Sequence, residues 1–178
     1  MKTALEQLST YKAYHLNGDN VKTHFAGIPA IVYGVVVILS MVPVAGTSLA
    51  VLLAMSALTY YFLMNRTLAI GMALFFIPVL YLGELTALMS TGSAVVIALV
   101  AFVGGWALQF LGHKFEGKKP AFVDDLNQLL IGPYFLMAEI YFALGLLPEL
   151  NEEVERIGVA KRREIDGLAP EAGAAVAP

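Results

Sequence analysis

Residues 67–89 read TLAIGMALFFIPVLYLGELTALM, and Glu84 is the one charged side chain in this stretch. Residues 93–111 read SAVVIALVAFVGGWALQFL and contain no charged side chain. An α-helix needs about 20 apolar residues to cross the ~30 Å hydrocarbon core of a bilayer. Both segments therefore predict membrane-spanning helices, and Pro78 predicts a kink in the first of them.

Two shorter apolar segments precede these helices. They cover residues 29–44 and 47–64, and both lie slightly below the usual length of a span. Pro29 suits the first turn of a helix, where its missing N–H costs no hydrogen bond. Together the four segments predict an all-α integral membrane protein with about four transmembrane helices.

The composition agrees with this fold class and argues against others. The chain has 178 residues, of which 58% are hydrophobic and 14% are charged. Soluble domains are about a quarter charged. A net charge of −3, without a basic stripe interleaved with aromatic residues, argues against a nucleic-acid partner. Because the chain has no cysteine, disulfides and thiolate metal sites are excluded.

The N-terminal segment, residues 1–16, is predicted to form an amphipathic helix, because Leu5 and Tyr11 belong to a set of apolar residues at helical spacing. The sequence NGDN at residues 17–20 then interrupts this helix, since Asn and Gly favour turns. Asn20 is predicted to cap a short helical turn that follows.

The basic side chains indicate the orientation in the membrane. They lie before the first span, between the second and third, after the fourth, and in the C-terminal tail. An even number of crossings brings the first three of these segments to one side, which the positive-inside rule assigns to the cytoplasm. Both termini are therefore predicted to be cytoplasmic, in a bacterial inner membrane or, in a eukaryote, the endoplasmic reticulum.

A fifth apolar segment, residues 126–147, is interrupted by polar residues and by Pro133. A single crossing here would carry the basic tail to the opposite side. We therefore expect a re-entrant pair of half-helices broken near Pro133, or a segment at the membrane interface. A full fifth span is the remaining alternative.

The segment after the fifth apolar stretch is predicted to begin as a charged helix from Glu149 to about Ile165 and to end in a disordered Ala/Gly/Pro-rich stretch. The sequence therefore divides into a single membrane-embedded domain, residues 1–148, and a cytoplasmic tail, residues 149–178.

The chain contains three histidines, and the predicted topology places all of them on one side of the membrane. His15 and His24 precede the first span, and His113 follows the fourth. Three imidazoles can bind iron, zinc, copper or nickel and leave coordination positions open. The simpler alternative is that each histidine only hydrogen-bonds lipid headgroups or backbone. On one continuous helix His15 and His24 would point in opposite directions, so a metal site requires the NGDN break.

Several neighbours could support these histidines. Tyr11 and Gln109 each precede a histidine by four residues, and Glu116 follows His113 by three, so helical spacing places each beside its histidine. Hydrogen-bonding partners commonly fix the ring orientation of a metal-bound histidine, and Asn20 is a further candidate for this role. Glu139 lies in apolar sequence, where ionisable residues are costly and often functional; alternatively, it lies at the interface and pairs with a backbone donor or a lysine.

Two blocks of the sequence resemble the signatures of a known family, the membrane 2-hydroxy fatty acid dioxygenases of fatty acid α-oxidation, once classified only as a domain of unknown function. The first block is Tyr11-x3-His15-x4-Asn20-x3-His24-x2-Gly27-Ile28-Pro29. The second is Gln109-x2-Gly112-His113-x2-Glu116-x3-Pro120, followed by Gly132-Pro133 and Glu139. The resemblance extends over about residues 5–147.

The resemblance implies a membrane-bound enzyme that contains Fe(II) and uses O2 to shorten a 2-hydroxy fatty acid by one carbon. It implies iron ligation by His15, His24 and His113, with Glu116 and Glu139 as a further ligand or as supporting residues. Tyr11, Asn20 and Gln109 complete the expected catalytic set. The residues that could bind the substrate carboxylate are Asn20, Gln109, Lys118 and Lys119.

Two other functions remain consistent with the sequence. The first is a zinc-dependent hydrolase or another lipid-modifying metalloenzyme, which would use the same histidines. The second is a membrane protein that binds lipids without catalysis. Metal content and oxygen consumption distinguish these functions from the dioxygenase.

Overall fold

A computed structural model describes residues 2–168. Within this range the chain forms seven α-helices, a two-stranded hairpin and a short 3₁₀ turn at Ala121–Val123. The helices are α1 (Ala4–Ala13), α2 (Gly18–Ser40), α3 (Leu49–Met64), α4 (Arg66–Ala87), α5 (Thr91–Glu116), α6 (Gln128–Ala143) and α7 (Pro148–Ile165). The hairpin strands are β1 (Pro43–Val44) and β2 (Thr47–Ser48). Most of the stretch predicted to be disordered, residues 169–178, lies outside the described residues.

Helices α2 to α5 run up and down as an antiparallel bundle, which confirms the all-α membrane fold class. Among residues 2–168, three helices, α2, α4 and α5, are long and apolar enough to cross a membrane. Helices α3 and α6 are apolar but have 16 residues each. The four predicted spans therefore correspond to these three helices and to the shorter α3, which packs beside α2 and α4.

Helix α2 begins earlier than predicted. Asn17 has an extended backbone, and its side chain accepts hydrogen bonds from the N–H groups of Asp19 and Asn20, so Asn17 is the N-cap. The prediction that Asn20 caps a separate turn is therefore wrong. Pro29 lies inside α2 rather than in its first turn, and helices in membranes tolerate such prolines because other groups satisfy the freed carbonyl.

Helices α2 and α5 approach closely because glycines line their contact. A Cβ atom at Gly105 would lie 2.6 Å from the carbonyl oxygen of Gly27, and one at Gly34 would lie 2.7 Å from that of Ala98. Near the end of α5, Gly112 packs against Asn20 in the same way. Small residues at helix contacts let backbones approach in membranes. This contact places the start of α2 directly beside the end of α5.

Helix α6 lies across one end of the bundle. The Asn127 side chain, just before α6, donates to the Tyr60 hydroxyl at 3.2 Å, and the Tyr141 hydroxyl, near the end of α6, donates to the Thr67 carbonyl at 3.1 Å. Tyr60 and Thr67 flank the junction of α3 and α4, so both ends of α6 stay at that end. The predicted break into two half-helices is wrong, because α6 continues through Pro133. The alternative of an interfacial segment agrees with this position.

Helices α1 and α7 pack together at the same end of the bundle. A Cβ atom at Gly158 would lie 2.8 Å from the side chain of Lys12, and Lys161 donates to the Thr10 hydroxyl at 2.7 Å. The predicted charged helix after residue 148 is confirmed as α7. Helix α1 is shorter than predicted, because Thr3 and Glu6 form a capping box at its start. The domain boundary at residue 148 stays a prediction.

The α2–α5 contact predicts a difference between two neighbouring glycines. Gly105→Ala should lower the free energy of unfolding by about 1–3 kcal/mol, since its methyl group would meet the α2 backbone. Gly104→Ala is the matched control, because a Cβ atom there meets nothing within 4 Å. Thermal unfolding in detergent measures both variants. Equal losses of stability would contradict the close backbone packing.

Candidate metal centre

The three histidines meet at the end of the bundle covered by α1, α6 and α7. His15 lies between α1 and α2, His24 lies in α2, and His113 lies near the end of α5. Their ring centroids are 4.6, 4.9 and 5.1 Å apart, and one nitrogen from each ring falls within 4.8 Å of the others. All three side chains are buried. The predicted convergence of distant histidines is confirmed.

Hydrogen bonds determine which nitrogens of His15 and His24 are free. His15 Nδ1 lies 2.7 Å from the carbonyl oxygen of Tyr11, and His24 Nδ1 lies 2.9 Å from that of Asn20. A carbonyl oxygen only accepts, so both Nδ1 atoms carry the proton. In the neutral rings, the two Nε2 atoms therefore bear lone pairs, and they face each other at 3.1 Å.

Two lone pairs at this separation repel unless a cation lies beside them. His113 adds a third buried ring, whose Nδ1 has no hydrogen-bond partner among the described residues. Burial lowers the pKa of His15 well below its usual range, and the adjacent His24 lowers it further. Neutral imidazole is the form that binds metals. The three side chains thus fit a metal ion by their donor chemistry.

Aromatic packing holds His15 in position. The Tyr11 ring stacks on the His15 imidazole at 4.0 Å with an interplanar angle of 5°, as the four-residue spacing predicts. Phe135 of α6 packs against both rings, with centroids 4.8 Å from Tyr11 and 5.8 Å from His15. Helix α6 therefore supports the ring from the side opposite the bundle helices.

A small cavity opens beside the histidines, and all three of them line it. Its lining is mostly apolar, with Tyr11 and Gln109 among the few polar residues. Gln109 is buried, and its Nε2 donor has no partner among residues 2–168. Of the four candidates for binding a carboxylate, Gln109 alone lines this cavity. Lys118 and Lys119 instead form ion pairs with Asp166 and Asp124, respectively.

Glu116 lies at the centre of a hydrogen-bond network next to the histidines. Its carboxylate accepts from the N–H of Asn17 at 2.8 Å, from the Asn20 side chain at 3.0 Å and from Arg162 at 2.5 Å. Among the described residues it makes no hydrogen bond to His113, contrary to the predicted support of that ring. Glu116 instead supports His24. It accepts a hydrogen bond from the Asn20 side chain, and the Asn20 carbonyl accepts one from His24 Nδ1.

Glu139 does not join the histidine cluster. It pairs with Lys12 of α1 at 3.3 Å, and Lys12 also pairs with Glu155 of α7. This arrangement matches the alternative interpretation, an interfacial glutamate paired with lysine. Lys12 in turn accepts a 2.8 Å hydrogen bond from the backbone N–H of His15 through its carbonyl oxygen.

The sequence did not indicate the roles of two other residues. Gln128 lines the cavity and donates to Gln7 at 2.9 Å, which links α6 to α1. Arg162 reaches from α7 to Glu116 and also donates to the Ala13 carbonyl at 3.2 Å. An arginine in a charged helix carries no pattern that points to a partner 46 residues away.

The chain is similar to known proteins of one family. A family model described as 2-hydroxy-palmitic acid dioxygenase Mpo1-like matches residues 1–144, which include all three histidines. The 2-hydroxy-palmitic acid dioxygenase MPO1 of Saccharomyces cerevisiae is 32% identical over 167 residues, covering 89% of this chain and 91% of the yeast protein. No solved structure matches the chain.

The Glu116 network predicts that α7 stabilises the metal centre. Arg162→Met leaves a buried carboxylate without its cation and should destabilise the protein by on the order of 3 kcal/mol. Arg156→Met is the matched control, because Arg156 pairs with Glu153 at the exposed surface of the same helix. Chemical unfolding followed by circular dichroism measures both. Similar stability of the two variants would show that the Arg162 contact is dispensable.

Proposed function

This chain belongs to the Mpo1-like family, and on that basis we propose that it is an Fe(II)-dependent dioxygenase that shortens 2-hydroxy fatty acids by one carbon. The observation that carries the proposal is the pair of histidine Nε2 lone pairs facing each other at 3.1 Å, with a third buried histidine beside them. The activity of the yeast relative, a 2-hydroxy-palmitic acid dioxygenase, provides the class of substrate.

His15, His24 and His113 would hold the metal. Bound Fe(II) supplies open coordination positions and the redox chemistry needed to use O2. The same three histidines suit zinc, but Zn²⁺ has no redox chemistry and so fits the hydrolase alternative rather than an oxidation. The reaction balances without a second reductant: a 2-hydroxy acid and O2 yield the fatty acid one carbon shorter, CO2 and water.

The surrounding residues take distinct roles in this proposal. Gln109 donates from its free Nε2 to the substrate carboxylate in the cavity. Tyr11 and Asn20 hold the rings of His15 and His24 through their backbone carbonyls. Glu116 holds Asn20 in turn, and Glu139 acts at a greater distance, through Lys12. Gln109 would contact the substrate, whereas the other four are positioning residues: Tyr11, Asn20, Glu116 and Glu139.

We propose that the site faces the cytoplasm. The histidines lie at the end of the bundle where α2 and α4 begin, and Arg66 and the lysines of residues 114–119 belong to the same end. The positive-inside rule then assigns this end to the cytoplasmic side. A fatty acid that partitions into the membrane would reach the site from the bilayer.

The reaction is tested by incubating the purified protein with Fe(II), O2 and 2-hydroxypalmitate. We expect pentadecanoate and the uptake of one O2 per product formed. The hydrolase alternative predicts activity with zinc and no oxygen uptake. The absence of shortening, with iron bound and oxygen present, would overturn the dioxygenase proposal.

Removal of one histidine should remove the metal. His24→Ala is expected to lower the iron content by roughly 10-fold or more and to abolish turnover, since a ligand and not only its support is lost. Lys22→Ala is the matched control on the same helix, because its one ion pair is with Asp19 at the surface. Elemental analysis measures metal per protein. If His24→Ala keeps full iron, His24 is not a ligand.

Substitution of Gln109 should weaken substrate binding more than metal binding. Gln109→Met keeps the volume but removes the Nε2 donor, so KM for the 2-hydroxy acid should rise about 10-fold, the effect of losing a hydrogen bond to a charged group. Iron content should stay unchanged. An unaltered KM would show that the carboxylate binds elsewhere.

A further inference from the structure

A long apolar groove runs along the bundle from the histidine cavity towards the opposite end. Side chains of α2, α3 and α5 form most of its walls, and their inward surface is predominantly hydrocarbon. On α2 the lining continues from Ile31 to Leu39, and on α3 it continues from Tyr61 back to Ala50. Because α2 and α3 are antiparallel, both sets of residues lead away from the histidines.

The groove and the cavity adjoin each other. Five residues line both spaces: Ile31, Val32, Trp106, Leu129 and Pro133. A molecule with its polar end at the histidines would therefore extend past these side chains into the groove. The shared lining distinguishes the groove from the other apolar depressions, of which one lies between α3 and α4 and one between α2 and α5.

Small side chains create this space. Ala50, Ala54 and Ala57 recur on one side of α3 at helical spacing, and all three line the groove. Ala50 and Ala54 are buried despite lining an open space, since α2 and α4 pack close to α3. Larger residues at these positions would fill the groove.

The length of the groove suits a long acyl chain. From His24 to Leu39, α2 rises about 22 Å at 1.5 Å per residue. A membrane leaflet, which one fatty acyl chain fills, has a hydrocarbon depth of about 15 Å. A chain of this length with its carboxyl end at the histidines would span about ten residues of α2 and end inside the groove, about five residues short of Leu39.

We propose that this groove binds the acyl chain of the substrate and that Leu53 and Ala57 limit the chain length. The identity of the head group rests on the proposed function, whereas the binding of an acyl chain does not. The occupant is the chain of the 2-hydroxy acid, because the groove adjoins the histidine cavity and has few polar groups to bind anything else.

The first experiment compares chain-length profiles of groove variants. Ala57→Phe should lower kcat/KM for the 16-carbon acid about tenfold or more and retain activity on shorter acids, since each buried methylene contributes about a factor of four. Leu53→Trp should shift the profile less, because Leu53 lies four residues, about 6 Å, further from the histidines. Leu52→Trp is the matched control, since Leu52 is exposed on the same helix and does not line the groove.

Unchanged profiles in both groove variants would overturn the assignment. A uniform loss on all chain lengths, with short acids equally affected, would also overturn it, because it would indicate a general defect rather than a length limit.

The second experiment does not depend on turnover. Trp106 is the chain's one tryptophan and lies where cavity and groove meet. A 2-hydroxy fatty acid brominated near its carboxyl end should quench Trp106 fluorescence saturably, and unlabelled 2-hydroxypalmitate should reverse the quenching. Ala57→Phe should weaken binding of the 16-carbon competitor but not that of a short one.

The two experiments distinguish a failure of the proposed function from a failure of the groove assignment. Saturable, competed quenching without any oxidation would contradict the proposed function and support the groove as an acyl-binding site. Oxidation with unshifted profiles and no competed quenching would support the proposed function and overturn the groove. Quenching that 2-hydroxypalmitate does not reverse would show that the brominated acid quenches Trp106 from the surrounding lipid or detergent and not from the groove, which also overturns the proposal.

Discussion

The close approach of α2 and α5 is the constraint on which the remainder of the structure depends. Gly27 and Gly105 let the two backbones come together, and Gly112 does so again beside Asn20. In a bilayer the lipid is as apolar as the side chains, so tight packing rather than water exclusion holds helices together. This contact places His24 next to His113, although 89 positions separate them in the chain.

The second constraint is the burial of a charged side chain, Glu116, at the end of the bundle. Glu116 is almost fully buried, and its carboxylate is satisfied by backbone N–H groups, by Asn20 and by Arg162. Its network joins the end of α5, the connection before α2, and α7. A buried carboxylate with every oxygen bonded rigidifies its surroundings, whereas an unpaired one would be costly. His24 is therefore oriented, through Asn20, by a network that begins outside the bundle.

Much of this site followed from hydropathy and spacing. Even crossings place His15, His24 and His113 at one end, and four-residue spacing places Tyr11 against His15. The wrong predictions concern a helix cap and a helix break, where a neighbouring residue or helix decides the local structure. Asn17 is the cap instead of Asn20, and Pro133 does not break α6, which is hydrogen-bonded to α3 and α1 just before the proline.

The class of fold and the convergence of three histidines able to bind a metal at one end of the bundle could be predicted from the residues, because hydropathy and helical period depend on residue order alone. The neighbours that contact these histidines became known only from the packing of the helices. Glu116 binds Arg162, Glu139 binds Lys12, and the apolar groove adjoins the histidine cavity. These contacts join helices far apart in the chain, and their distances arise from packing, which no local pattern encodes.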